Sequence, residues 1–125
     1  MKPRLFFTLL LTLGLTMAFS AAQAGKSEAD YQRALRGDKN LARTNLEEAN
    51  FENKSLRCAD LRFADLHEAE LENADLRGAN LAGANLENAD LEGADLTGAC
   101  LANTRLDDAE IENTIGPNGR LLNPD

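Results

Sequence analysis

Carboxylates supply most of the chemistry open to this chain. It holds 21 Asp and Glu against 13 Lys and Arg, with one histidine, two cysteines and no tryptophan. Paired carboxylates can move protons or hold hard cations through oxygen. Two cysteines and one histidine are too few for a Cys/His zinc cluster or a disulfide-dense miniprotein. A histidine-centred catalytic group would rest on His67 alone, which stands among acids such as Glu68. No nucleophile and base occur together in a motif, and the glycines follow a repeat rather than a phosphate loop. A formal charge of −8 argues against nucleic acid as a ligand, because phosphates need a basic surface. The expectation is therefore a protein with no catalytic, cofactor-binding or metal-binding residues, and not an enzyme.

What spaces the carboxylates is a larger regularity. From Leu41 to Ile111 every fifth residue is large and apolar, fifteen times in succession. Two residues before each, alanine stands at eleven of the fifteen positions, with Thr44 and Thr104 as small substitutes and Lys39 and Lys54 as exceptions. Asp or Asn usually separates the two. On an α-helix a five-residue step would spiral the leucines round every side, and on a straight strand it would alternate their faces. Only a chain that turns at every repeat can bury them all. Residues two apart in a short extended segment share a face, so each Ala and the following Leu both point inward. The result is a solenoid with a narrow interior.

Residues 39–113 resemble the pentapeptide-repeat family, whose pattern is A(D/N)LXX; Ala69 to Cys100 follow it without a gap. The resemblance implies an all-β fold, a right-handed quadrilateral parallel β-helix with four repeats per coil. Seventy-five residues would make about four coils, a rod of about 18 Å at the usual strand spacing.

Under that register residues twenty apart stack. Glu52, Glu72, Glu92 and Glu112 would form one ladder, and Asn50, Glu70, Asp90 and Glu110 a second on the same side. Seven carboxylates then share a face with no Lys or Arg at those positions. The neighbouring side adds Glu47, Glu48, Glu68, Glu87, Asp107 and Asp108, relieved by Arg105 and His67. Arg57, Arg62 and Arg77 fall on the other two sides beside Asp60, Asp75 and Asp95. Two readings remain for the acidic face. It is either a solvated wall that keeps solenoids apart, or a docking face for a basic protein partner or divalent cations. Flat ladders do not converge six oxygens on one point, so a tight metal cage is not expected. Cys58 and Cys100 would lie on outward positions about 10 Å apart, too far for a disulfide. Phe63 is the one exposed aromatic expected within the coils.

Solenoid ends need caps. Residues 25–38 are assigned as an N-terminal capping segment, with a helix over 27–36 started by Ser27 and Asp30 and stopped at Gly37. Tyr31, Ala34 and Leu35 would lie over the first coil. Residues 114–125 form a C-terminal cap or tail, with a turn at Pro117-Asn118-Gly119 and with Ile115, Leu121 and Leu122 closing the last coil.

Ahead of this stand Lys2 and Arg4, an apolar run from Leu5 to Phe19, and Ser20 to Ala24 ending in Ala-x-Ala. That is the pattern of a cleaved signal peptide over 1–24, leaving no stable membrane anchor. Losing Lys2 and Arg4 takes the formal charge from −8 to −10. The compartment would be the periplasm or another extracytoplasmic space, or the thylakoid lumen in a cyanobacterium. The expected function is a non-enzymatic extracytoplasmic scaffold binding a protein through its acidic face. The resemblance supplies an alternative, since some family members are acidic rods that mimic DNA and bind DNA gyrase. Against it stand the export signal and a tail with Pro117 and Pro124 in place of a C-terminal dimerising helix.

Overall fold

The computed structural model describes residues 25–123. The signal-peptide assignment over 1–24 falls outside the described residues, as do Pro124 and Asp125 of the tail. From Asn40 onward the backbone pairs in parallel with the segment twenty residues further on. Four columns of such pairs start at Asn40, Asn45, Asn50 and Ser55, so four repeats complete one coil.

Hydrogen-bond demand explains the residue preferences of each repeat. Every backbone N–H needs a partner when the chain is packed this tightly. In the repeat around Leu46, the Leu N–H donates to Asp65 O of the next coil at 2.7 Å. Glu48 N–H donates to His67 O at 2.8 Å, and Ala49 N–H turns back onto Leu46 O at 3.0 Å. Further along the column Glu70 N–H donates to Ala49 O of the preceding coil at 3.0 Å. That leaves the N–H directly after each Leu. Asn45 Oδ1 accepts it from Glu47 at 3.1 Å, and Asp65, Asn80, Asn85, Asp90 and Asp95 do the same for the residue two ahead. The Asp/Asn preference is thus a run of Asx turns.

The corner residue two after each Leu has positive φ, between +55° and +72°, at all fifteen positions from Arg43 to Asn113. Together with the bond closing each turn, this is the backbone of a turn that favours Gly or Asn at its third position. Gly78, Gly83, Gly93 and Gly98 meet that demand without a Cβ. Arg43, Glu48, Cys58, Phe63 and Glu68 do not.

The core is made of inward side chains stacked in four files, one for each column. The twelve large residues from Leu41 to Leu96 are at most 2% exposed, and the alanines two residues before the large ones, from Ala49 to Ala99, are buried between them. Thr44 and Thr114 share this interior because each hydroxyl donates to a backbone carbonyl, Leu41 O and Leu91 O, both at 2.7 Å. Leu101, Leu106 and Ile111 depart from the expectation that all fifteen are buried. They are only half-buried, because among the described residues no further coil lies over them.

The two ends differ. Helix α1 (Glu28–Leu35) starts where Ser27 Oγ accepts the Asp30 N–H at 3.3 Å. It stops at a Schellman turn: Gly37 N–H reaches Ala34 O and Asp38 N–H reaches Arg33 O. Ala34 is 3% exposed, and the Tyr31 ring meets Phe51 edge-on at 5.4 Å. Leu35, expected over the first coil, remains 40% exposed. At the other end Ile115 pairs antiparallel with Leu121, and Leu122 N–H donates to Thr114 O at 2.8 Å. This hairpin closes the last coil only in part, since Leu121 is 48% exposed.

Candidate functional site

The parallel pairs place Asn50, Glu70, Asp90 and Glu110 in one column. Glu52, Glu72, Glu92 and Glu112 stand two residues further along the same coils, tied by bonds such as Asn73 N–H to Glu92 O at 2.8 Å. All seven carboxylates proposed from the sequence therefore share one face. Two of the ladder's backbone groups are fixed by side chains: Asn50 Oδ1 accepts from Glu52 N–H at 3.0 Å and Asp90 Oδ1 from Glu92 N–H at 2.9 Å. The Asn50 amide also donates to Glu70 Oε2 in the next coil.

Charge on this face is not neutralised from within. Among the described residues, no ion pair involves any of the seven. The consequence shows at Glu72, whose pKa is pushed above the ordinary glutamate value. The negative charge of Asp90 is the main cause, followed by partial burial and by Glu52 and Glu70. Protonation of Glu72 relieves like-charge repulsion, so this one carboxyl holds its proton more tightly than an isolated glutamate would.

The adjoining sides behave differently. Arg62 grips Asp60 through two bonds of 2.8 and 2.7 Å, and Arg77 grips Asp75 with the same pair of distances. The Arg77 guanidinium is the main reason Asp75 titrates at about 2. Arg105 reaches both Glu87 and Asp107, and His67 Nε2 lies 3.3 Å from Glu68. Cys58 and Cys100 are both exposed free thiols. Among the described residues no group of three or more His, Cys, Asp or Glu is placed to hold a metal ion. No described helix is long and apolar enough to cross a membrane.

Phe63 is 56% exposed, as the outward position predicts, yet it is not isolated. Arg43, twenty residues earlier, sets its guanidinium 4.8 Å from the ring centre. On the other side the ring lies over Gly83, where a Cβ would come within 2.5 Å of it. Sequence reasoning missed this stack, although the twenty-residue spacing of 43, 63 and 83 carries the signal. It also missed why Asp or Asn precedes each Leu and why Gly or Asn follows two later.

A family profile for pentapeptide repeats matches residues 40–73 and 74–113, in eight copies. Among solved structures, a pentapeptide-repeat protein of the Arabidopsis thaliana thylakoid lumen is 29% identical, with a TM-score of 0.51, over 61% of this chain and 49% of that one. HetL, a pentapeptide-repeat protein involved in heterocyst differentiation regulation from the cyanobacterium Nostoc sp. strain PCC 7120, is 30% identical, with a TM-score of 0.39, over 66% and 51%. A pentapeptide-repeat protein of the cyanobacterium Cyanothece 51142 is 37% identical, with a TM-score of 0.47, over 67% and 60%. The matched part spans about half the length of the first two of these chains. No curated protein matches the chain.

Proposed function

The chain belongs to the pentapeptide-repeat family, and we propose that it is an extracytoplasmic scaffold whose acidic face docks a basic protein partner. Proteins of this family are generally non-enzymatic repeat proteins. The reading takes residues 39–113 as the family's right-handed quadrilateral β-helix of about four coils. Residues 25–38 are its N-terminal cap, 114–125 its C-terminal tail and 1–24 a cleaved signal peptide. A thylakoid-lumen protein among the similar structures is compatible with a place outside the cytoplasm.

One observation carries the docking reading. Seven carboxylates stack on a single face and make no ion pair among the described residues, while the Arg62 and Arg77 sides of the same rod are internally paired. A face left with uncompensated charge attracts a basic surface and speeds its encounter. Stacked like charges disfavour the folded rod, so a partner that neutralises them gains binding energy from relief of that repulsion as well as from new pairs.

Affinity capture from the extracytoplasmic fraction tests this. The native protein is compared with a variant in which Glu52, Glu72, Glu92 and Glu112 become Gln. A basic protein retained by the native form and lost by the variant is the expected outcome; equal retention by both overturns the docking face. Sequencing the N-terminus of the protein itself, recovered from its source cells, decides the compartment. A mature form starting at Gly25 is expected, whereas an unprocessed cytoplasmic chain would favour the gyrase-binding alternative.

A further inference from the structure

Two residues break the alanine pattern, and both lie at one place. Lys39 and Lys54 occupy positions where other repeats hold a small buried side chain, and both are exposed. Their backbones nonetheless keep the register: Asp60 N–H reaches Lys39 O at 2.7 Å and Lys54 N–H reaches Phe51 O at 2.9 Å. The solenoid wall is therefore intact in its main chain, while these two side chains stand exposed beside it.

Only the C-terminal end of helix α1 and the turn after it border this place. The helix is anchored over the first three columns, through Arg33 Nη2 to Asn40 O, Ser27 N–H to Asn45 O, the Tyr31 hydroxyl to Asn50 O, and the Tyr31 ring on Phe51. Between its C-terminal end and the first coil a cavity of about 300 Å³ remains. Arg36, Lys39 and Lys54 line it, with Leu35 as its exposed apolar wall and Phe51 and Leu56 beneath. Among the described residues none of these three cations makes an ion pair. The nearby Asp38 carboxylate is engaged by Arg33 at 3.0 Å and by the Asn40 N–H at 2.9 Å.

The charge map makes this end close to neutral while the rest of the rod is acidic, so an anion meets the least repulsion here. Over residues 25–62 eight Lys and Arg offset seven Asp and Glu, whereas over 63–123 three face thirteen. Backbone chemistry narrows the ligand. The wall is a helix C-terminus, whose dipole opposes negative charge. The N–H groups of Gly37 and Asp38 are spent in the Schellman turn, so no amide nest awaits a phosphate. A single carboxylate with a short apolar body suits side-chain cations around an apolar wall better than a dianion does.

We propose that this cavity binds a small organic monocarboxylate, its charge among Arg36, Lys39 and Lys54 and its apolar part against Leu35. The site is separate from the acidic face and independent of what that face binds.

Titration of the isotope-labelled protein with hexanoate, followed by amide NMR shifts, tests the assignment. Saturable shifts at residues 35–39 and 54–56 are expected, with an affinity on the order of 10 mM or tighter for so few atoms. Lys39→Ala and Lys54→Ala each install a residue the repeat already favours, so the fold should persist while binding weakens about two- to fivefold per change. Arg62→Gln, outside the cavity, should leave binding unchanged. The proposal falls if hexanoate produces no saturable shift, or if the double alanine variant binds as the native protein does. It falls equally if inorganic phosphate or hexanol binds as well as hexanoate, or if a glutamate-rich peptide binds more tightly.

Discussion

Two stretches of the same solenoid, 41–68 and 71–98, follow one backbone with different side chains. The later stretch fits its corners: Asn73, Gly78, Gly83, Asn88, Gly93 and Gly98 occupy the positive-φ positions. In the earlier one Arg43, Glu48, Cys58, Phe63 and Glu68 hold the same φ, near +57°, at a strain of about 1–2 kcal/mol each. Yet both stretches bury their leucines completely. The inward positions are thus the strict requirement, and the corners are a tolerance. Strain in the earlier stretch coexists with a sealing helix, Tyr31 on Phe51, and with partners such as Arg43 on Phe63. The well-fitted stretch leads instead to a last coil whose Leu101, Leu106 and Ile111 are half open.

The largest test of this contrast is in the core. Leu76→Ala, in the middle of its file at 0% exposure, should lower unfolding free energy by about 2–5 kcal/mol. Leu106→Ala, in the half-open coil, should lose less than half as much in the same urea titration. Equal losses would mean the last coil is covered in solution.

Corner substitutions come next and should have opposite signs in the two stretches. Gly98→Ala meets no side chain within 4 Å, so its loss of about 1 kcal/mol would report the φ of +72° alone. Glu68→Asn puts a residue tolerant of that φ into the earlier stretch and should stabilise by about 0.5–1 kcal/mol. Matching signs would show that the corners do not carry strain.

The smallest effect is electrostatic and compares two sides of the rod. Asp75 is depressed from 3.8 to about 2 in the folded state, so its contribution is present above pH 3.8 and is lost as pH falls toward about 2. Glu72 is raised from 4.5, so its folded form is favoured below pH 4.5 and that advantage fades as pH rises through the raised value. Melting temperature followed against pH should show Glu72→Gln flattening the upper limb and Arg77→Gln flattening the lower. If neither variant changes the profile, neighbouring charges do not govern these two groups.

The five-residue period, the inward Ala and Leu, and the acidic column were legible in the sequence because each is a spacing, and spacing survives without coordinates. So were the Ser27 start and the Gly37 stop of α1, which are local signals. The corner strain was not, since it lies in backbone angles that Phe63 or Glu68 do not announce. Nor was the partial closure of the last coil, because Leu101, Leu106 and Ile111 match the repeat as well as any earlier leucine.

By itself the sequence determined which side chains face inward, because a strict period leaves a folded chain one way to bury fifteen large apolar residues. The tertiary structure decided how well each end is sealed and where Lys39 and Lys54 line a cavity. Burial at an end depends on what lies across it, and no repeat carries that information within its own five residues.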